Sequence, residues 1–169
     1  GDKEYQAVMK LGEKTDTLDA AGKVIETKEI PKLDKDKIEK ILKDFTGKIS
    51  QTPPAYSAVK VDGVRAYEHA RKGKDVQIKP RDVFIKEISL TKIDIPFIAF
   101  NVVCSKGTYI RSLCSDIGER LGTVAHMFSL IRTASGQFKN SDAVDIDELG
   151  KGRIIKIDET LGFMPEIRI

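Results

Sequence analysis

Two stretches of this chain carry an apolar stripe at helical spacing, and the long interval between them reads as strands and turns. In the first, Ile38, Ile41, Leu42 and Phe45 fall on one face, with Asp34 placed to cap the start and Gly47 to stop it. In the second, which follows Gly107, the residues Ile110, Leu113, Cys114, Ile117 and Leu121 keep the same period until Gly122. Strands and helices therefore alternate without a regular βαβ rhythm. That pattern predicts an α+β fold, a mixed, largely antiparallel sheet flanked by helices.

Strand signals fill the rest. Tyr5 to Leu11 alternates loosely, Lys23 to Ile30 runs up to Pro31, and Val83 to Ile93 and Phe97 to Cys104 flank a turn marked by Asp94 and Pro96. Ala125 to Thr133 reads as a strand broken by Ser135-Gly136. Pro53-Pro54 fits neither a helix nor a central strand, so it marks a stiff connector. Asp62-Gly63, between Ser57–Val61 and Val64, signals a short hairpin, with a short helix over Arg65 to Lys72 ended by Gly73. Asp145 to Leu149 suggests one helical turn, and Arg153 to Ile169 a closing segment.

The chain is long enough for one core, whole or as a piece of a slightly larger domain, and 33% charged residues with 40% hydrophobic ones is ordinary globular composition. No apolar run approaches the roughly 18 residues that span a bilayer, and no signal peptide opens the chain. Instead it opens abruptly on a strand, as if a preceding segment were missing. A net charge of +3 permits nucleic-acid binding without demanding it. Cys104 and Cys114, with no CxxC, read as two buried reduced thiols, which fits a cytoplasmic setting. His69 and His126 have no Cys or His partner at ligand spacing, so no structural zinc site is expected.

Arg111 is the most informative residue. It sits about 100° from the centre of the buried stripe, in the first helical turn, where the helix dipole disfavours a cation by roughly 0.3–1 kcal/mol. A partly buried arginine in such a place calls for a carboxylate or phosphate partner, unless it is a solvated surface side chain. Tyr109 cannot share the buried face and can either stack on a base or close a core edge. Tyr5 carries the same two readings on its strand. The run Thr15-Asp16-Thr17 with Asp19 and Gly22 can bind a metal or act on protons, but its short polar side chains more readily hold a turn together. No glycine-rich phosphate loop and no Ser/His/Asp arrangement is present.

Four blocks taken in order resemble one family. K-E-Y-Q-A-V-M-K-L-G-E-K-T-D-T-L-D-A-A-G (Lys3 to Gly22), T-P-P-A-Y-S-A-V-K-V-D-G-V-R-A-Y-E-H-A-R-K-G (Thr52 to Gly73), G-T-Y-I-R-S-L-C-S-D-I-G-E-R-L-G-T-V-A-H (Gly107 to His126) and L-I-R-T-A-S-G-Q-F (Leu130 to Phe138) are similar to the bacterial TruB family of tRNA pseudouridine synthases. The T-D-T-L-D loop separates it from the related guide-RNA-dependent synthases of archaea and eukaryotes.

The resemblance implies isomerisation of uridine 55 in the tRNA T loop, without cofactor or metal. The base is flipped out, detached from its sugar, rotated and rejoined through C5. It implies that Tyr5 stacks on the base and takes part in removing the C5 proton. Arg111 would pair with the catalytic aspartate, and Tyr109 and Leu130 would complete the uracil pocket. Lys60, Arg65, Arg71 and Arg132 would touch phosphates. In domain terms it implies that residues 1–152 are the major part of the catalytic domain and 153–169 its closing segment, with the family's small RNA-binding PUA domain absent.

One departure stands against these matches. The family's nucleophilic aspartate lies in a G-x-L-D-x-x-A-x-G block upstream of the K-x-Y strand, and a base-extruding histidine lies just before it. Neither motif occurs here, and Asp2, Asp16 and Asp19 do not match it. The expectation is a fold incomplete on its N-terminal side and a chain inactive alone, with Arg111 facing an empty nucleophile position and the missing segment cut away, left disordered or supplied as a separate piece. The rival from another class is a non-catalytic module that grips the T arm, which would tolerate Arg111→Met. A fragment too incomplete to fold alone is the third alternative.

Overall fold

The computed structural model describes residues 1–61, 63–73 and 77–143. Its centre is a six-stranded sheet, and every ladder in it is antiparallel. The chain runs through β1 (Lys3–Leu11), the small hairpin β2 (Glu13–Thr15) and β3 (Val24–Thr27), α1 (Lys35–Asp44) and β4 (Gly47–Gln51). There follow β5 (Lys60–Val61), β6 (Val64–Arg65), α2 (Ala66–Arg71), β7 (Arg81–Asp94), β8 (Phe97–Cys104), α3 (Ile110–Leu121), β9 (Ala125–Ser135) and β10 (Phe138–Lys139), with a 3-10 turn at Asn140–Asp142. The sheet order is β10-β9-β1-β8-β7-β4.

Alternation decides which face is buried. Tyr5, Ala7, Met9 and Leu11 of β1 and Ile98, Phe100, Val102 and Cys104 of β8 all point to one side. There they meet Ile38 and Leu42 of α1 and Ile110, Leu113, Cys114, Ile117 and Leu121 of α3 in one core. At ~25 cal/mol per Å² of apolar surface, this shared face is the main stabilising term. On the opposite face Phe97 and Phe128 meet edge to face at 4.9 Å, and Phe128 stays half exposed.

Helix α1 starts as its sequence predicts, with the Asp34 carboxylate accepting the Lys37 N–H at 2.8 Å. Helix α3 is seated by close approach: a Cβ on Gly118 would lie 2.6 Å from Ala125 Cβ. That contact brings the helix against the start of β9. Both cysteines are free and buried, as expected, and burial pushes each thiol's pKa up. The strand expected over Lys23 to Ile30 is shorter, Val24–Thr27, and Lys28 beyond it gives its N–H to Gly12 O. Strand β4 was not expected at all. The helical turn at Asp145–Leu149 and the closing segment lie outside the described residues.

Candidate active site

Arg111 finds a carboxylate partner within this chain. Its side chain, 22% exposed, reaches into the Thr15–Gly22 loop and the Pro-rich connector. Nη1 donates to Thr17 O at 3.1 Å and to Asp19 Oδ2 at 3.2 Å, and Nη2 donates to Tyr56 O at 2.8 Å. The carboxylate that its location called for is thus Asp19 of the same chain. An arginine in the first turn of α3 sits against the helix dipole, and the pair offsets that penalty locally.

The loop that supplies Asp19 is held by its own short polar side chains, which supports the turn reading of those residues. Asp19 Oδ1 accepts from Thr17 Oγ1 and Ala21 N, Thr15 Oγ1 donates to Asp19 O, and Asp16 Oδ1 accepts from Lys23 N. Asp19 therefore does two jobs, one oxygen closing the turn and the other meeting Arg111. Gly22 is required for this closure, because any Cβ there would collide with Thr17 and Asp16. Leu18 lies in the left-handed region with φ 59°, a position that costs a non-glycine residue roughly 1–2 kcal/mol. Its carbonyl accepts the Met127 N–H at 3.0 Å, so the loop is anchored to β9 as well as to α3.

Tyr5 and Arg132 face each other across the β1–β9 ladder, and the Arg132 guanidinium lies 5.4 Å from the Tyr5 ring centre. Tyr5 is buried, while Leu130, two residues before Arg132, is 37% exposed on the same strand opposite Ala7. Tyr109 occupies the N-cap position of α3, half-buried, without a side-chain cap. Tyr5 thus lies on β1, Leu130 and Arg132 on β9, and Tyr109 and Arg111 at the start of α3. Lys60, Arg65 and Arg71 do not join them: they sit exposed on the β5–β6 hairpin and α2, with Arg71 over the Tyr67 ring. Among the described residues no group of three His, Cys, Asp or Glu could hold a metal ion.

Residues 1–110 match the family model described as the TruB family pseudouridylate synthase N-terminal domain, and 111–161 that of the tRNA pseudouridylate synthase B C-terminal domain. The chain belongs to the TruB pseudouridylate synthase family. Among similar proteins, tRNA pseudouridine synthase B of Clostridium acetobutylicum is 42% identical over 173 residues, covering all of this chain and 60% of that protein. The tRNA pseudouridine synthase B of Syntrophus aciditrophicus is 47% identical over 90% of this chain and 49% of its own length. This chain therefore spans about half to 60% of these TruB relatives. Among solved structures, a chain of a Cbf5-Nop10-Gar1 complex has a TM-score of 0.63 at 31% identity, over 89% of this chain and 36% of that one. A structure of an H/ACA RNP bound to a substrate RNA containing 2'-deoxyuridine has a TM-score of 0.58 at 27% identity, over 89% of this chain and 34% of that one.

The two TruB family models meet between Ile110 and Arg111, in the first turn of α3. Three residues at this junction escaped sequence reading. Asp19 was read as a turn residue in preference to a metal-binding or proton-handling one, and not as the partner of Arg111. Gln51 and Arg81 carried no signal, because what they touch lies far away in sequence.

Proposed function

We propose that this chain is part of a bacterial tRNA pseudouridine synthase that isomerises uridine 55 of the T loop, working in the cytoplasm with the tRNA T arm as partner. The observation that carries the reading is Arg111, set at the start of α3 and paired with a carboxylate, with Tyr109 beside it in sequence. In this reading a flipped uracil lies against the Tyr5 ring, with Tyr109 and Leu130 closing its edges and Tyr5 assisting loss of the C5 proton. Arg111 orients and electrostatically supports the nucleophilic carboxylate. Arg132, Lys60, Arg65 and Arg71 contact phosphates, and the last three do so from a separate exposed unit. Residues 1–152 belong to the major part of the catalytic domain.

None of the carboxylates in these 169 residues stands in the family's nucleophile motif, so the chain alone is expected not to turn over. The test is pseudouridine formation in a T-arm stem-loop, run with this chain and with the protein expressed from its complete reading frame. Product from the complete protein alone supports the reading. No product from either would overturn the enzymatic function in favour of a T-arm binding module. Product from the chain alone would make Asp19, already on Arg111, the first nucleophile to examine.

A further inference from the structure

Helix α3 opens on an aromatic residue where Ser, Thr, Asp or Asn would normally cap, and Tyr109 has no side-chain cap of its own. Its backbone is held instead from β4. Gln51, 1% exposed, accepts the Tyr109 N–H on Oε1 at 2.8 Å and donates from Nε2 to Tyr109 O at 3.1 Å. A primary amide offers a donor and an acceptor side by side, and here both are used on one residue. The ring is held from β7. The Arg81 guanidinium stacks 4.8 Å from the Tyr109 ring centre while Nη2 donates to Gly107 O at 2.7 Å. Gln51 and Arg81 are direct partners in the β4–β7 ladder, so one cross-strand pair grips both the main chain and the ring of Tyr109.

We propose that Gln51 and Arg81 are positioning residues for the isomerisation, fixing Tyr109 and, two residues on, Arg111 against the base. The inference rests on the reading that Tyr109 and Arg111 line the uracil pocket. Neither residue touches the reacting atoms; both act through the start of α3. A further bond, Ser112 Oγ to Thr52 O at 2.7 Å, ties the same two segments, so the fold does not depend on Gln51 alone.

The experiment uses the protein from its complete reading frame, with single-turnover pseudouridine formation at saturating enzyme, T-arm affinity and melting temperature measured together. In Gln51→Glu the ionised carboxylate still accepts the Tyr109 N–H but turns a second acceptor toward Tyr109 O. Its rate above neutral pH is expected to fall about tenfold to a hundredfold, the scale of an ångström-sized misplacement, with affinity within about threefold. Below neutral pH the protonated carboxyl donates again, so the rate recovers along an acid limb that the unsubstituted protein lacks. Arg81→Lys keeps the charge but loses the planar stack, and is expected to lose about threefold to tenfold in rate. If both variants turn over at the unsubstituted rate per folded molecule while only the melting temperature drops, the pair is structural and the proposal fails. If the unsubstituted complete protein makes no pseudouridine, the functional reading itself fails and the positioning role with it.

Discussion

Helix α1 starts on its own sequence, where Asp34 accepts the Lys37 N–H. Helix α3 instead starts on residues borrowed from β4, β7 and the Thr15–Gly22 loop. A locally capped helix can form early and tolerates changes elsewhere. A helix begun by distant groups has its first turn fixed by the tertiary fold, which is what a site needing ångström-level placement of a tyrosine and an arginine requires. In the proposed function, the difference makes α1 scaffold and α3 machinery.

Substitutions at the two helix starts should separate those roles. The largest effect is expected from Arg111→Met in the protein from the complete reading frame: at least about a hundredfold loss of single-turnover pseudouridine formation, with T-arm binding retained. Urea melts of the same variant should show a loss of ~1–3 kcal/mol, since Asp19 and two carbonyls lose their donor. A variant that melts lower but reacts normally would make α3 scaffold too. Next in size is Gly118→Ala, which gains helix propensity but drives a methyl into Ala125. Chemical denaturation should show a net loss of ~1–3 kcal/mol, and an increase in stability would mean that the α3–β9 seat is looser than described.

Asp34→Ala sharpens the contrast from the other side. It should cost ~1 kcal/mol in a denaturation experiment and leave the turnover rate unchanged. The smallest effect concerns Asp116 on α3, whose pKa burial, with Glu119 adding to it, pushes up to about 6. A carboxyl whose pKa is higher in the folded state holds its proton longer there, so its contribution favours folding at low pH and is lost as pH rises from about 4 to about 6. Solvent screening at this partly exposed site keeps the size below ~1 kcal/mol. Asp116→Asn should flatten that slope in stability measured across the window; an unchanged slope would show that the carboxyl titrates as it does in the unfolded chain.

Local signals explain what was legible in the sequence. The stripes of α1 and α3, the Asp34 cap and the alternation in β1 and β8 are each written within a few residues, and the structure follows them closely. Strand β4, Gly47–Gln51, was hidden because it is short and lies between a helix end and two prolines, and its pairing with β7 comes from far along the chain. Arg111 announced that it needed a partner, since its position in the helix field is a local fact. That the partner is Asp19 could not be read, because the two are 92 residues apart and the aspartate also had a sufficient reason to be in a turn. Gln51 gave no warning: an amide is unremarkable until the backbone it grips is known.

The place of β1 in the sheet has a consequence for the order in which the molecule is built. β1 is the first of the described strands, yet it lies between β8 and β9, which are made far later. Pairings so distant in sequence carry a large loop-closure entropy and form slowly. During synthesis the strand bearing Tyr5 cannot form its ladders with β8 and β9 until those later strands emerge. The surroundings that β9 gives Tyr5, Arg132 among them, are therefore assembled late.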